Sequence, residues 1–144
     1  MQDPKANMNS NTFIETWSAY ALEHSQSIPD LLSELEKETY QKVLQPRMLS
    51  SPLQGRFLSL LSQLIQPKKI LEIGTFTGYA SLCLAEGLQK EGELHTIDNN
   101  AELIHLQEKY FSRSKYVKNI HTYLGNAIDI VPNIDGLFDL VFID

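Results

Sequence analysis

The chain has 144 residues, 42% hydrophobic and 21% charged, with 18 acids against 12 bases and a formal charge of −6. That is one domain's length, too apolar for disorder, with no apolar run near the roughly eighteen residues of a membrane helix. A single cysteine, Cys83, excludes an internal disulfide framework and a multi-cysteine zinc site, and the acidic balance speaks against strong non-specific nucleic-acid binding. The start, MQDPKANMNSN, lacks the basic-then-apolar pattern of a secreted protein, so a cytoplasmic protein without membrane contact is expected.

From Thr12 to about Ile65 the pattern is helical. Thr12 and Glu15 have capping-box spacing, and Phe13, Trp17, Tyr20 and Ala21 recur on one face. Pro29 fits a first helical turn, followed by Leu31, Leu32, Leu35 and Val43 on the apolar side. A third helix opens with Ser51 as N-cap, Pro52 at the first position and Gln54 closing the box, and Phe57, Leu60, Leu61 and Leu64 predict its buried stripe.

From Lys68 strands and helices alternate: strands at 70–73, 93–98, 120–124 and 138–144, helices at 77–90, 101–114 and 126–131. Such βα alternation predicts a parallel sheet with right-handed crossovers and helices on both faces. Residues 1–66 then form a helical cap of the same domain, and 67–144 its α/β portion. The last strand, Leu140 to Ile143, is apolar on both faces and would lie bare at a sheet edge, so the domain reads as cut short after strand 4.

The segment Ile70-Leu71-Glu72-Ile73-Gly74-Thr75-Phe76-Thr77-Gly78-Tyr79 carries the chemistry. A buried strand runs into two glycines and then a helix, which lets a nucleotide-like ligand approach the backbone. The spacing is G-x-x-x-G, with an acid two residues before the first glycine. A dinucleotide fingerprint is G-x-G-x-x-G, so an NAD-dependent oxidoreductase is disfavoured. Asp98 closes the second strand and suits a ribose, each charge-assisted bond worth about 1.5–3 kcal/mol. An N-cap or turn role is the competing reading; the Gly74 turn favours the ribose.

With these residues in view, the chain resembles the class I S-adenosylmethionine-dependent methyltransferases, specifically the small metal-dependent O-methyltransferases that include catechol and caffeoyl-CoA O-methyltransferases. The resemblance runs from Met48 to Asp144: Met48-Leu49-Ser50-Ser51-Pro52-Leu53-Gln54-Gly55, then LEIGTFTGYAS, Thr96-Ile97-Asp98, Gly125-Asn126-Ala127, and Phe138-Asp139-Leu140-Val141-Phe142-Ile143-Asp144. It implies a Rossmann-like α/β fold, with a parallel sheet in the order 3-2-1-4 behind N-terminal helices.

The resemblance also implies roles. Glu72 and Gly74 shape the methionine end of the S-adenosylmethionine site, with Phe76 beside it and Gly78 completing the turn. Asp98 holds the ribose, Asn126 and Ala127 meet the adenine, and Met48 and Ser50 lie over the cofactor, their backbone near its carboxylate. Many relatives carry serine at the position of Ala80; here Ser81 follows, about 100° further round a helix, as the hydroxyl near that carboxylate. Asp144 matches the first of three ligands to a divalent metal, usually Mg²⁺, with Ca²⁺ or Mn²⁺ as alternatives. The other two ligands and the general-base lysine are expected beyond Asp144, so no catalytic base is named within the chain.

The reaction implied is in-line methyl transfer from a sulfonium to a hydroxyl of a small catechol-like or phenolic acceptor, by an intact protein that is a homodimer. Alignment alone supplies roughly 7–11 kcal/mol of such a barrier reduction. The alternatives are a tRNA hydroxyuridine O-methyltransferase of the same family and a non-catalytic binding or oligomerisation fragment. The remaining signals have plain readings. His24, His95, His105 and His121 lack ligand spacing and suit surface or packing positions, and Cys83 suits the core. Lys109, Arg113, Lys115 and Lys118 cluster near a helix C-terminus, which the helix dipole explains, with tRNA contact as the competitor. Arg47 and Arg56 flank the Met48–Ser51 segment, either as solvated charges or facing an acidic substrate. Trp17 and Tyr20 are core or dimer contacts.

Overall fold

The computed structural model describes residues 10–144, with side chains from Phe13 onward. Helix α1 spans Ser10–Glu23, so the chain is helical two residues before the capping box proposed at Thr12, whose side chain lies outside the described residues, as does the chain start up to residue 9. Helix α2 is Asp30–Lys42 with Pro29 at its N-cap, and α3 is Pro52–Ile65. The α3 start forms as its sequence dictates: Ser51 accepts a hydrogen bond from the Gln54 amide at 3.2 Å. A single 3₁₀ turn, Pro46–Met48, joins this cap to α2.

The α/β portion follows as β1 (Lys69–Ile73), α4 (Tyr79–Ala85), β2 (Glu93–Asp98), α5 (Ile104–Arg113), β3 (Ile120–Leu124), α6 (Ala127–Ile130) and β4 (Leu140–Ile143). All pairings are parallel and the order is β3-β2-β1-β4, as expected. Ile73 lies between Ile97 and Ile143, so the C-terminal ends of β1, β2 and β4 open into one crevice. Ligands bind in open α/β sheets at this kind of switch point. One buried cluster draws on both parts of the chain: Leu32, Leu35 and Leu58 with Ile70, Leu94, α4, Leu106 and Tyr110. No helix among the described residues is long and apolar enough to cross a membrane.

Several expectations are corrected. On α3 most of the apolar stripe faces outward: Phe57, Leu60 and Leu64 are 56%, 52% and 72% exposed, and Leu61 is half-buried. The buried face is Gly55, Arg56, Leu58, Ser59 and Ser62, and at Gly55 α4 comes too close for any side chain. A Cβ on Gly55 would stand 2.6 Å from the Tyr79 ring and 2.9 Å from Cys83 Sγ. Ser62 instead donates to the Leu84 carbonyl at 2.6 Å. On α1, Phe13, Trp17 and Tyr20 do share a face, edge to face at 5.7 and 6.3 Å, but they are exposed and not core. The helix expected at 77–90 runs only from Tyr79 to Ala85, since Gly78 in the left-handed region starts it and a turn at 86–87 ends it. The helix expected at 101–114 begins as a 3₁₀ turn, Ala101–Leu103, and the one expected at 126–131 shortens to α6 and passes into the 3₁₀ turn Val131–Asn133. Strand β4 starts at Leu140, because Asp139 is used to accept the Lys68 and Lys69 amides at 2.8 and 3.0 Å.

Candidate functional site

The turn after β1 sits under tight constraint. Gly74 has φ +101, and a Cβ there would meet the Asp144 carbonyl oxygen at 2.8 Å, so only glycine fits between β1 and β4. Gly78 has φ +92 and packs against the Phe111 ring at a distance no Cβ tolerates. Between them Phe76 holds φ +48, a strained value for a side-chain-bearing residue. Two contacts hold it there: the Phe76 amide donates to Asp98 Oδ2 at 2.7 Å, and Gln107 Nε2 donates to the Phe76 carbonyl at 2.8 Å.

Asp98 is therefore a fixed carboxylate. Its Oδ1 accepts the Asn100 amide at 2.9 Å, so each oxygen has one backbone donor and a lone pair left for a ligand hydroxyl. Beneath the turn, Glu72 is fully buried. Its Oε2 accepts from Thr96 Oγ1 at 2.6 Å and from Ser81, while its Oε1 has no partner among the described residues. Burial pushes the Glu72 pKa up to about 7, with the negative charges of Asp144 and Asp98 adding to the shift and the Ser81 and Thr96 hydroxyls opposing it. An orphaned buried carboxylate oxygen is costly unless a cation or donor arrives.

A cleft of about 830 Å³ opens above these groups. Of the residues singled out in the sequence, Met48, Ser50, Gly74, Phe76, Asp98 and Asp144 line it. Ser50 donates to Asp144 Oδ2 at 3.3 Å. Glu72, Gly78 and Ser81 are buried and do not line it, with the Ser81 hydroxyl turned to Glu72, and Asn126 and Ala127 do not line it either. Asn126 caps α6 by accepting the Ile128 amide at 3.2 Å, and the adjacent Gly125 amide donates to the Asp98 carbonyl at 2.8 Å, which keeps this cap beside the Asp98 end. The sequence reading missed Gln107, a buried amide on α5 without a motif, and the wall formed by Lys42, Val43, Leu44 and Gln45.

The other candidates are placed elsewhere. Arg56 is buried, its guanidinium paired in two contacts with Glu86 at 2.9 and 3.1 Å, so it is neither a solvated charge nor available to a substrate. Lys109 and Arg113 tie α5 to α2 through Glu38 at 2.5 Å and Glu34 at 2.6 Å. Cys83 is buried, and burial raises its pKa to about 12. His95 is buried against Tyr123 at 2.9 Å, while His105 lies on the cleft rim with Nδ1 2.9 Å from the Glu102 carbonyl. No group of three His, Cys, Asp or Glu among the described residues is placed to hold a metal ion.

A family model described as O-methyltransferase matches residues 22–144. The chain belongs to that family. It is similar to a catechol O-methyltransferase of Niastella koreensis, 39% identical over 103 residues that make up 69% of this chain and 47% of the relative. A catechol O-methyltransferase of Mycobacterium tuberculosis is 35% identical over 69% of this chain and 46% of its own length. Among solved structures, the methyltransferase PaMTH1 of Podospora anserina, bound to S-adenosylhomocysteine, superposes with TM-score 0.87 at 28% identity, over 99% of this chain and 61% of that one. TomG of Streptomyces achromogenes, in complex with S-adenosylmethionine, gives 0.86 at 29% identity, over 95% and 63%. The chain thus spans about half the length of these two curated relatives.

Proposed function

We propose that the protein is an S-adenosylmethionine-dependent O-methyltransferase acting on a hydroxyl of a small catechol-like or phenolic acceptor. One observation carries the cofactor half of this reading: a fixed Asp98 carboxylate with free lone pairs and a buried Glu72 with an orphaned oxygen flank the Gly74 turn. When bound, the cofactor supplies an electrophilic methyl on a sulfonium. Asp98 accepts the ribose hydroxyls, and Glu72 supplies negative charge for the cationic end, with Ser81 acting through Glu72. Gly74 lets the backbone turn tightly at the cleft, Gly78 packs on Phe111 to complete that turn, and Phe76 packs at the methionine end. Asn126 and Ala127 serve the adenine, and Met48 and Ser50 cover the site and exclude water. PaMTH1 and TomG, which hold the cofactor or its product, support this assignment.

Asp144 is proposed as one ligand of a divalent ion such as Mg²⁺, Ca²⁺ or Mn²⁺. Such ions take six or more oxygens, and among the described residues no group of three His, Cys, Asp or Glu converges on one point, so the residues present do not by themselves fit an ion and no step is assigned to one. The acceptor reading rests on the catechol O-methyltransferases among the relatives. A tRNA acceptor is not favoured, since two of the basic residues that suggested it are engaged with Glu34 and Glu38. The exposed Trp17, Tyr20, Phe57 and Leu60 offer the face on which a homodimer would form, tested by molar mass in solution. The functional test is mass-spectrometric product detection with catechol and S-adenosylmethionine, with and without Mg²⁺. A methylated catechol is the expected result; turnover on tRNA but not on catechol would replace the acceptor assignment.

A further inference from the structure

The cleft lining is uneven in charge. The Asp98 end is acidic, with Asp98 itself held by two backbone amides. The wall from α2 to the 3₁₀ turn carries two exposed apolar side chains, Leu44 at 94% and Met48 at 60%. Two long cations stand in this wall, and they are not equivalent. The Lys42 ammonium lies 2.7 Å from Glu38 Oε1. Arg47 lines the cleft and makes no ion pair or hydrogen bond with any described residue, whereas the chain's other two arginines each hold a carboxylate, Glu86 for Arg56 and Glu34 for Arg113.

We propose that Arg47 is a specificity-determining residue that pairs with a carboxylate carried by the acceptor, so that the preferred acceptor is a catechol bearing an acidic side group. This rests on the acceptor reading above. An aromatic ring with a carboxylate matches the wall in both respects: Leu44 and Met48 take the ring's apolar face, and the planar guanidinium fork takes two carboxylate oxygens. With the nucleoside at the Asp98 end, such an acceptor meets the only cleft cation that lacks a carboxylate among the described residues. Arg47 touches no reacting atom in this account; it selects the acceptor and holds its far end.

The test is calorimetric binding of two near-isosteric acceptors, 3,4-dihydroxybenzoate and 4-methylcatechol, to the intact protein saturated with S-adenosylhomocysteine. Wild type should bind the benzoate more tightly. R47Q should weaken the benzoate about ten-fold, the scale of one charge-assisted pair, and leave 4-methylcatechol and the cofactor product unchanged. R47K, which keeps the charge but not the fork, should recover part of the loss. Equal weakening of both acceptors would make Arg47 a structural support of the wall, and weakened S-adenosylhomocysteine would assign it to the cofactor carboxylate; either overturns the proposal. No change in R47Q also overturns it. Selective benzoate binding without methyl transfer to either acceptor would leave the pairing standing and defeat the proposed function instead.

Discussion

Glu72 is a fully buried carboxyl whose Oε1 has no partner among the described residues. Burial holds its pKa near 7, against an ordinary value of 4.5. Between those values the unfolded chain gives up its proton while the folded chain keeps it. The residue's contribution to the ligand-free protein is therefore full below about pH 4.5 and lost as pH rises through about 7, a change on the order of 3 kcal/mol. Urea unfolding of wild type and E72Q between about pH 4 and 8 should give a stability difference that falls across that window. A flat difference would mean that Glu72 is ionised without a ligand. The residue scale is also where the sequence was least informative about charge. Arg47 and Arg56 flank the same segment and read alike, and only Glu86, 30 residues along the chain from Arg56, separates a buried pair from a free cation.

The contact of α3 with α4 shows why helical stripes can mislead. Large apolar side chains at Phe57, Leu60 and Leu64 gave the stronger periodic signal, but the face that meets the wholly buried α4 carries Gly55, Ser59 and Ser62 at its closest approach. Gly55, Ser59 and Ser62, at helical spacing, were the weaker signal and mark the true inner face. Adding one methyl there tests the point. Gly55→Ala gains about 1 kcal/mol of helix propensity but drives a Cβ into Tyr79 and Cys83, an overpacking cost of about 1–3 kcal/mol. Net destabilisation, read as a lower urea midpoint at unchanged slope, is the expected outcome. A stabilised G55A would show that α3 and α4 stand further apart. Where the elements' own chemistry decided, as with Ser51 and Pro52 at the head of α3 or the Glu93–Asp98 strand, the sequence located them to the residue.

At the scale of the whole molecule, the sheet order was legible because βα alternation and the motif run from Glu72 to Asp144 agree. The order β3-β2-β1-β4 then brings Gly74, Asp98 and Asp144 to one crevice. The wall from Lys42 to Gln45 was not legible, since no motif marks it and its position depends on how α2 docks through Glu34 and Glu38 onto α5. Under the proposed function this crevice takes S-adenosylmethionine through Asp98. Asp98 also clamps the strained Phe76 amide, so D98N, which keeps an acceptor oxygen, is a cleaner probe than alanine. The direct measurement is calorimetric titration of wild type and D98N with S-adenosylmethionine and, separately, NADH, with circular dichroism to verify the fold. Wild type should bind S-adenosylmethionine and not NADH, and D98N should lose about 1.5–3 kcal/mol of that binding. Equal affinity of D98N and wild type, or uptake of NADH in preference, would contradict the account.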